Sequence, residues 1–279
     1  MKDIITKVDE GRLKRLYDIL NEDLKLLAEK SNVSPGELND YFIPEMKLEK
    51  SKQEGQNYLY RLASSLQNSG MMHNSIRFNE DEIRNKNIKE VLCNWDITKA
   101  RETYNSADAI YEKFKEVCGD DFDKGSGTKK ETNWQKYCLG LLNGLEYLDQ
   151  NGIREIDELV SFDYSANLED FAEKMKKVDK LTNQIHGLGL ALTCDWLKEC
   201  GCEWLAKPDV HIIEVIKHYK KEGKISNKKV LEFMFEWSKI VGCSAYKLDK
   251  IIWLLCTGNF YLNKPKTSRS DIIKIIDNL

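Results

Sequence analysis

Two short stretches hold the residue types best able to do chemistry. Ile185-His186-Gly187-Leu188-Gly189 sets two glycines one residue apart at a bend between helical segments. Glycine lets backbone amides approach an anion closely. Asp209 follows within Lys207-Pro208-Asp209-Val210-His211, beyond the second of those segments. A carboxylate fixed there would stand close to whatever anion the bend holds. The pair suits a protein that grips nucleic-acid phosphate and does chemistry beside it.

Read as one unit, Leu168 to Tyr219 resembles the helix-hairpin-helix and Gly/Pro–Asp segment of the base-excision DNA glycosylase superfamily. The apolar-x-Gly-apolar-Gly pattern is matched by Ile185, Gly187, Leu188 and Gly189, and the Asp-containing loop by residues 207–211. The spacing predicts helices over Leu168–Gln184 and Leu190–Gly201, with the hairpin at 185–189. Members that also cut the DNA backbone resemble Gly-x-Gly-x-Lys at the hairpin, where the lysine supplies a nucleophilic amine. Here that position is Ala191. Some relatives carry a four-cysteine iron–sulfur loop after the catalytic segment, whereas only Cys243 and Cys256 follow Asp209 here. The chain therefore resembles a monofunctional branch without a cluster, for which no cofactor is expected.

The resemblance implies an all-α protein with two helical lobes around a cleft, acting on double-stranded DNA that carries a damaged base. It assigns DNA contacts to Gly187, Leu188, Gly189, Ala191, Lys207 and His211, and implies that hairpin carbonyls hold a monovalent cation bridging to phosphate. It makes Asp209 the catalytic residue. Cleaving an N-glycosidic bond builds positive charge on the sugar, and an ionised carboxylate stabilises that charge while activating water. The residue also fits a plainer role, because Asp after a loop commonly caps the following helix, here Val210–Lys220. Lys198 and Lys207 are candidate substitutes for the missing amine. A base reached by an enzyme must leave the helical stack, so aromatic pocket walls are expected. Trp134, Trp253 and Phe260 are the candidates, with Tyr261 beside them, although aromatics at helical spacing commonly pack inward. The base itself stays open: Asp209-Val210-His211 resembles the version in enzymes for oxidised guanine, while the absent lysine points away from them.

Composition sets the frame for these motifs. The chain has 279 residues, 41% hydrophobic and 32% charged, which suits a globular protein with a sizeable core. No stretch approaches a membrane span, and MKDIITKVDEGR lacks a signal-peptide core. Eight cysteines without regular pairing read as reduced thiols in a cytoplasmic compartment. Cys194, Cys200 and Cys202 fit no usual zinc spacing and are expected as buried thiols, so no metal site is expected. The net charge of −3 conceals a polarity, since from Phe171 onward 19 Lys and Arg face 13 Asp and Glu. Lys217, Lys220, Lys221, Lys224, Lys228 and Lys229 crowd one segment. They form either a field that attracts phosphate or a solvated helix end.

The elements that must position these residues read as helices. Ser34-Pro35-Gly36-Glu37 is a capping box, and Asn79 with Glu82 and Asn167 with Asp170 give similar starts. Leu13, Leu20, Leu24 and Leu27 repeat at helical spacing, as do Leu141, Leu142, Leu145 and Leu148. Residues 119–133 are linker-like. The expected organisation is an added helical region over 1–75 and a glycosylase-like core over 76–279, acting as a monomer. Two other classes remain compatible with the residues: a non-catalytic DNA-binding module that kept the hairpin, as part of a repair or defence assembly, and a helical scaffold.

Overall fold

The computed structural model describes residues 7–48, 57–78, 81–119, 122–123, 132–162, 167–260 and 267–279. The regular elements among these residues are all helices, with no strand, as the sequence predicts. The helices run α1 (Lys7–Lys30), α2 (Pro35–Asp40), α3 (Tyr58–Leu66), α4 (His73–Ile76), α5 (Glu82–Val91), α6 (Ile97–Thr103), α7 (Ala107–Cys118) and α8 (Asn133–Tyr147). They continue as α9 (Ile153–Val160), α10 (Leu168–Gln184), α11 (Leu190–Glu199), α12 (Val210–Lys220), α13 (Asn227–Val241), α14 (Ala245–Thr257) and α15 (Arg269–Asp277).

The chain divides into two compact units. The first comprises Met1–Leu48, Phe162–Ala172 and Gly201–Leu279, and the second Glu49–Ser161 and Glu173–Cys200. In the first unit, Leu13, Leu16, Leu20, Leu24 and Ala28 recur at helical spacing along α1 and are buried. This stripe packs against α13 and α14. The Trp237 indole of α13 donates to the Leu13 carbonyl at 3.2 Å, so the largest side chain at that contact leaves no polar atom unpaired. Phe171 stacks on Phe235 and meets Trp204 edge-on, closing the core on another side. The Ser34 capping box forms as predicted, with Glu37 returning a bond to the Ser34 amide at 2.8 Å.

The second unit is built on α8, which packs against α3 and α7. Leu141, Leu142 and Leu145 are buried along it, and the chain passes through one wide π turn, Leu148–Gly152, into α9. Tyr60, Phe78 and Trp95 form a mutual edge-to-face triangle. The Trp196 indole of α11 donates to the Tyr58 carbonyl of α3 at 3.1 Å. The start of α5 is capped by Asp81, which accepts from Ile83 and Arg84; Asn79 lies outside the described residues. Most of 119–133 lies outside them as well.

Removing Trp237 would empty a buried space between α1 and α13 and take away the indole bond to the Leu13 carbonyl. Trp237→Ala is expected to cost about 3–5 kcal/mol of unfolding free energy, measured by urea titration.

Candidate nucleic-acid interface and catalytic carboxylate

The hairpin belongs to the second unit. Helix α10 ends at Gln184, and the Leu188 amide donates to the Ile185 carbonyl at 3.2 Å, closing a tight turn. Gly187 occupies the third position of that turn with φ of 84°, a conformation other residues adopt only with strain. Ile185 and Leu188 are buried and pin the turn from below, whereas His186 and Gly189 are exposed. Two contacts from α8 fix its position. The Asn143 side chain accepts from the His186 amide at 3.2 Å. Gly140 lies so close that an added Cβ would meet the His186 carbonyl oxygen at 2.8 Å and a Leu66 methyl at 2.9 Å. The hydroxyls of Thr182 and Thr193 stand 2.9 Å apart and link α10 to α11.

Gly189 is the N-cap of α11 and offers no capping side chain. The amides of Gly189, Leu190 and Ala191 therefore have no partner among the described residues. A Cβ added at Gly189 would meet nothing within 4 Å, and Gly189 itself is exposed. An uncapped helix start with such amides carries partial positive charge and suits an anion. The carbonyls of Gly187 and Leu188 likewise accept no hydrogen bond among the described residues. All-oxygen donors of this kind fit a hard cation. Ala191 sits in the first turn of α11, half-buried.

The carboxylate belongs to the first unit. Pro208 is buried, and Asp209 is the N-cap of α12 with extended backbone. Its Oδ1 accepts from the amides of His211 at 2.9 Å and Ile212 at 3.1 Å, so the capping role read from the sequence is real. Both bonds fall on one oxygen. Oδ2 has no protein partner among the described residues, and the side chain is half-exposed. Val210 beside it is 58% exposed. The carbonyl of Val210 accepts from Arg269 Nη1, at the start of α15, at 2.9 Å. Burial pushes the Cys256 thiol at the end of α14 up to about 12, with the Arg269 guanidinium opposing the rise and the Asp209 carboxylate adding to it. The two charges thus converge on one thiol. His211 is half-buried, and its Nδ1 is enclosed without a partner among the described residues.

The remaining candidates separate clearly. Trp253 on α14 is half-exposed. Trp134 is 1% exposed in the core of the second unit, wedged by Phe114 and Phe122 with Arg84 over its face. Phe260 is fully buried and meets Tyr41 edge-on. Neither ring has a face left for a stacked base, which corrects the sequence expectation: both follow the commoner fate of an aromatic, which is core. Tyr261 lies outside the described residues. Lys198 is 4% exposed and pairs with Asp195 Oδ1 at 3.9 Å, so its amine is shut in; Lys207 is half-buried next to Asp209. Cys194, Cys200 and Cys202 are buried thiols, as expected.

The lysine cluster falls at the C-terminal end of α12 and beyond, at the opposite end of that helix from Asp209. Cations there complement the helix dipole, and Lys217 pairs with Glu214 at 3.2 Å. Two concavities in the first unit also leave Asp209 out. One of about 250 Å³ is lined by residues including Tyr41, Ile43, Tyr246 and Lys250, and one of about 500 Å³ by residues including Arg12, Lys217 and His218. No described helix is long and apolar enough to cross a membrane. Sequence reasoning missed Arg269, Gly140 and Asn143. Glycines within a helical pattern, Gly140 and Gly144, were the available signal for the first contact, and nothing in the sequence marks Arg269.

Among known proteins, no family model matches the sequence and no curated protein matches it. One solved structure, the 8-oxoguanine DNA glycosylase of Thermotoga maritima, is similar at a TM-score of 0.48 and 18% identity. The likeness covers 88% of this chain and 98% of that chain. A likeness this distant leaves the chemistry to the residues themselves.

The two hairpin glycines differ in what they tolerate. Gly187→Ala forces a side chain into positive φ and is expected to cost roughly 1–2 kcal/mol. Gly189→Ala meets no atoms and loses less than about 1 kcal/mol at the helix start. Paired urea denaturation curves check the difference.

Proposed function

We propose that this protein is a DNA glycosylase that hydrolyses the N-glycosidic bond of a damaged or modified base flipped out of duplex DNA. The observation that carries the reading is the Asp209 carboxylate. Two backbone amides lock it through one oxygen and leave the other without a protein partner among the described residues. It occurs in a chain whose hairpin presents three open amides. A pure binding module needs only the cap, which Asn would supply equally well.

In this reading the amides of Gly189, Leu190 and Ala191 hold a DNA phosphate, a contact that fixes register without reading sequence. The Gly187 and Leu188 carbonyls would hold a monovalent cation, which supplies charge neutralisation at that phosphate when DNA is bound. At the sugar, the departing base takes the electron pair of the glycosidic bond and leaves cationic character at C1′. Oδ2 of Asp209 faces that charge, orients a water toward C1′ and receives its proton as the new C–O bond forms. The cap keeps the carboxylate in place, so no reorganisation is needed as the charge develops. His211, in the first turn of α12, is assigned a DNA-backbone contact beside Asp209. Trp253, partly exposed on α14, is the aromatic proposed to stack on the extruded base.

The enzyme is proposed to be monofunctional. Helix α11 carries Ala191 where a nucleophilic lysine would stand, and Lys198 further along is enclosed in an ion pair. Borohydride reduction during turnover should trap no covalent protein–DNA adduct, and an adduct lost on Lys207→Ala would move the assignment to a bifunctional enzyme. The partner is duplex DNA bearing a damaged base, bound by a monomer.

Asp209→Asn separates the two jobs of this residue. Asn caps a helix as well as Asp does, so stability should stay within about 0.5 kcal/mol while Asp209→Ala loses about 1 kcal/mol. Base release from a panel of duplexes, each with one lesion, should fall about a hundredfold or more in Asp209→Asn with DNA binding kept. Binding by wild type without release from any duplex would favour a non-catalytic module, and no binding a scaffold.

A further inference from the structure

The surroundings of Asp209 carry a cation and an apolar side chain, Arg269 and Val210, that the proposed chemistry does not use. Arg269 Nη1 donates to the Val210 carbonyl at 2.9 Å, which sets the guanidinium at the first turn of α12, one residue from Asp209. The other donors of that guanidinium have no partner among the described residues, and the group stands partly in solvent. No carboxylate claims it within ion-pair distance among the described residues, in contrast to Lys217 and Lys274, which each have one. Next to it Val210 is 58% exposed, a large apolar side chain presented outward at the position following Asp209.

A fixed guanidinium with spare donors suits a phosphate diester, which accepts its parallel N–H bonds. An exposed branched side chain beside it suits the apolar face of a deoxyribose. We infer that Arg269 and Val210 form a second DNA-backbone contact, in which Arg269 binds the phosphate flanking the nucleotide presented to Asp209 and Val210 packs on the adjoining sugar. This rests on the glycosylase reading for the nucleotide but not for the phosphate contact. Arg269 is a positioning residue: it holds the strand while Asp209 acts on it. The neutral bond to Val210 orients the guanidinium in advance, so little freedom is lost when the phosphate arrives.

The test measures binding of full-length wild type, Arg269→Ala, Arg269→Lys and Val210→Ser to a duplex with a tetrahydrofuran abasic analogue, across a series of salt concentrations. Each phosphate contact releases about one counterion, so Arg269→Ala should weaken binding about tenfold at low salt and lower the salt slope by about one. Arg269→Lys should keep most of the slope, because it keeps the charge. Val210→Ser should weaken binding with the slope intact. At subsaturating protein the single-turnover rate of base release should fall in Arg269→Ala in step with the lost binding, whereas Asp209→Asn loses release at every protein concentration.

A merely structural role for Arg269 would lower the melting temperature and leave the salt slope at the wild-type value, and that outcome overturns the inference. If wild type releases a base and the slope does not depend on Arg269, this inference fails and the glycosylase reading stands. If the slope depends on Arg269 and no duplex loses a base, the phosphate contact stands and the glycosylase reading fails. Absence of DNA binding by wild type overturns both.

Discussion

The turn at Gly187 is the constraint from which the hairpin follows. Its φ of 84° is open to glycine and strained for anything with a Cβ. That single backbone choice lets α10 stop and α11 begin a few residues later, with the start of α11 turned outward. The turn is held as well as permitted. Asn143 takes up the His186 amide, and Gly140 lets α8 come within a distance that no side chain would allow. The order at the hairpin is therefore imported from a helix more than forty residues earlier in sequence. Buried Ile185 and Leu188 supply the hydrophobic grip, and the polar contacts supply the register.

Asp209 shows how one residue can cap a helix and still keep an atom for chemistry. Helix capping asks for one oxygen in a fixed position, and electrostatic catalysis asks for a preorganised charge. Because both amides fall on Oδ1, the cap fixes the carboxylate and leaves Oδ2 without a protein partner among the described residues. The two readings of this residue offered by the sequence are thus compatible. Evidence of capping argues neither for nor against a chemical role, and the free oxygen is the informative atom.

Helices with strong local signals were legible before the structure. The bounds of α10 and α12 match the spacing argument, and the Ser34 and Asn167 caps form with their predicted partners. These features are local: a cap, a period and a glycine are decided within a few residues. What could not be read depends on which distant segments meet. Leu13 and Trp237 bond across 224 positions, and Arg269 reaches the Val210 carbonyl across 59. Nothing in composition or periodicity encodes either pairing. The aromatics failed for the same reason, since Trp134 and Phe260 have the right chemistry for a pocket but are fully engaged by neighbours the sequence does not identify. Trp253 differs from them only in accessibility, a property of packing rather than of type.

Helix α11 begins at a residue that can offer its amides nothing. Most helices in this protein start on Ser, Asp, Asn or Thr, so this one forgoes a stabilisation its neighbours have. The deficit makes the free protein slightly less stable than its sequence would permit, and any polyanion that docks there refunds it by completing the missing bonds. Occupancy and folding are then thermodynamically linked. The loaded protein should resist heat better than the empty one, and the first turn of α11 should exchange its amide hydrogens more slowly when occupied.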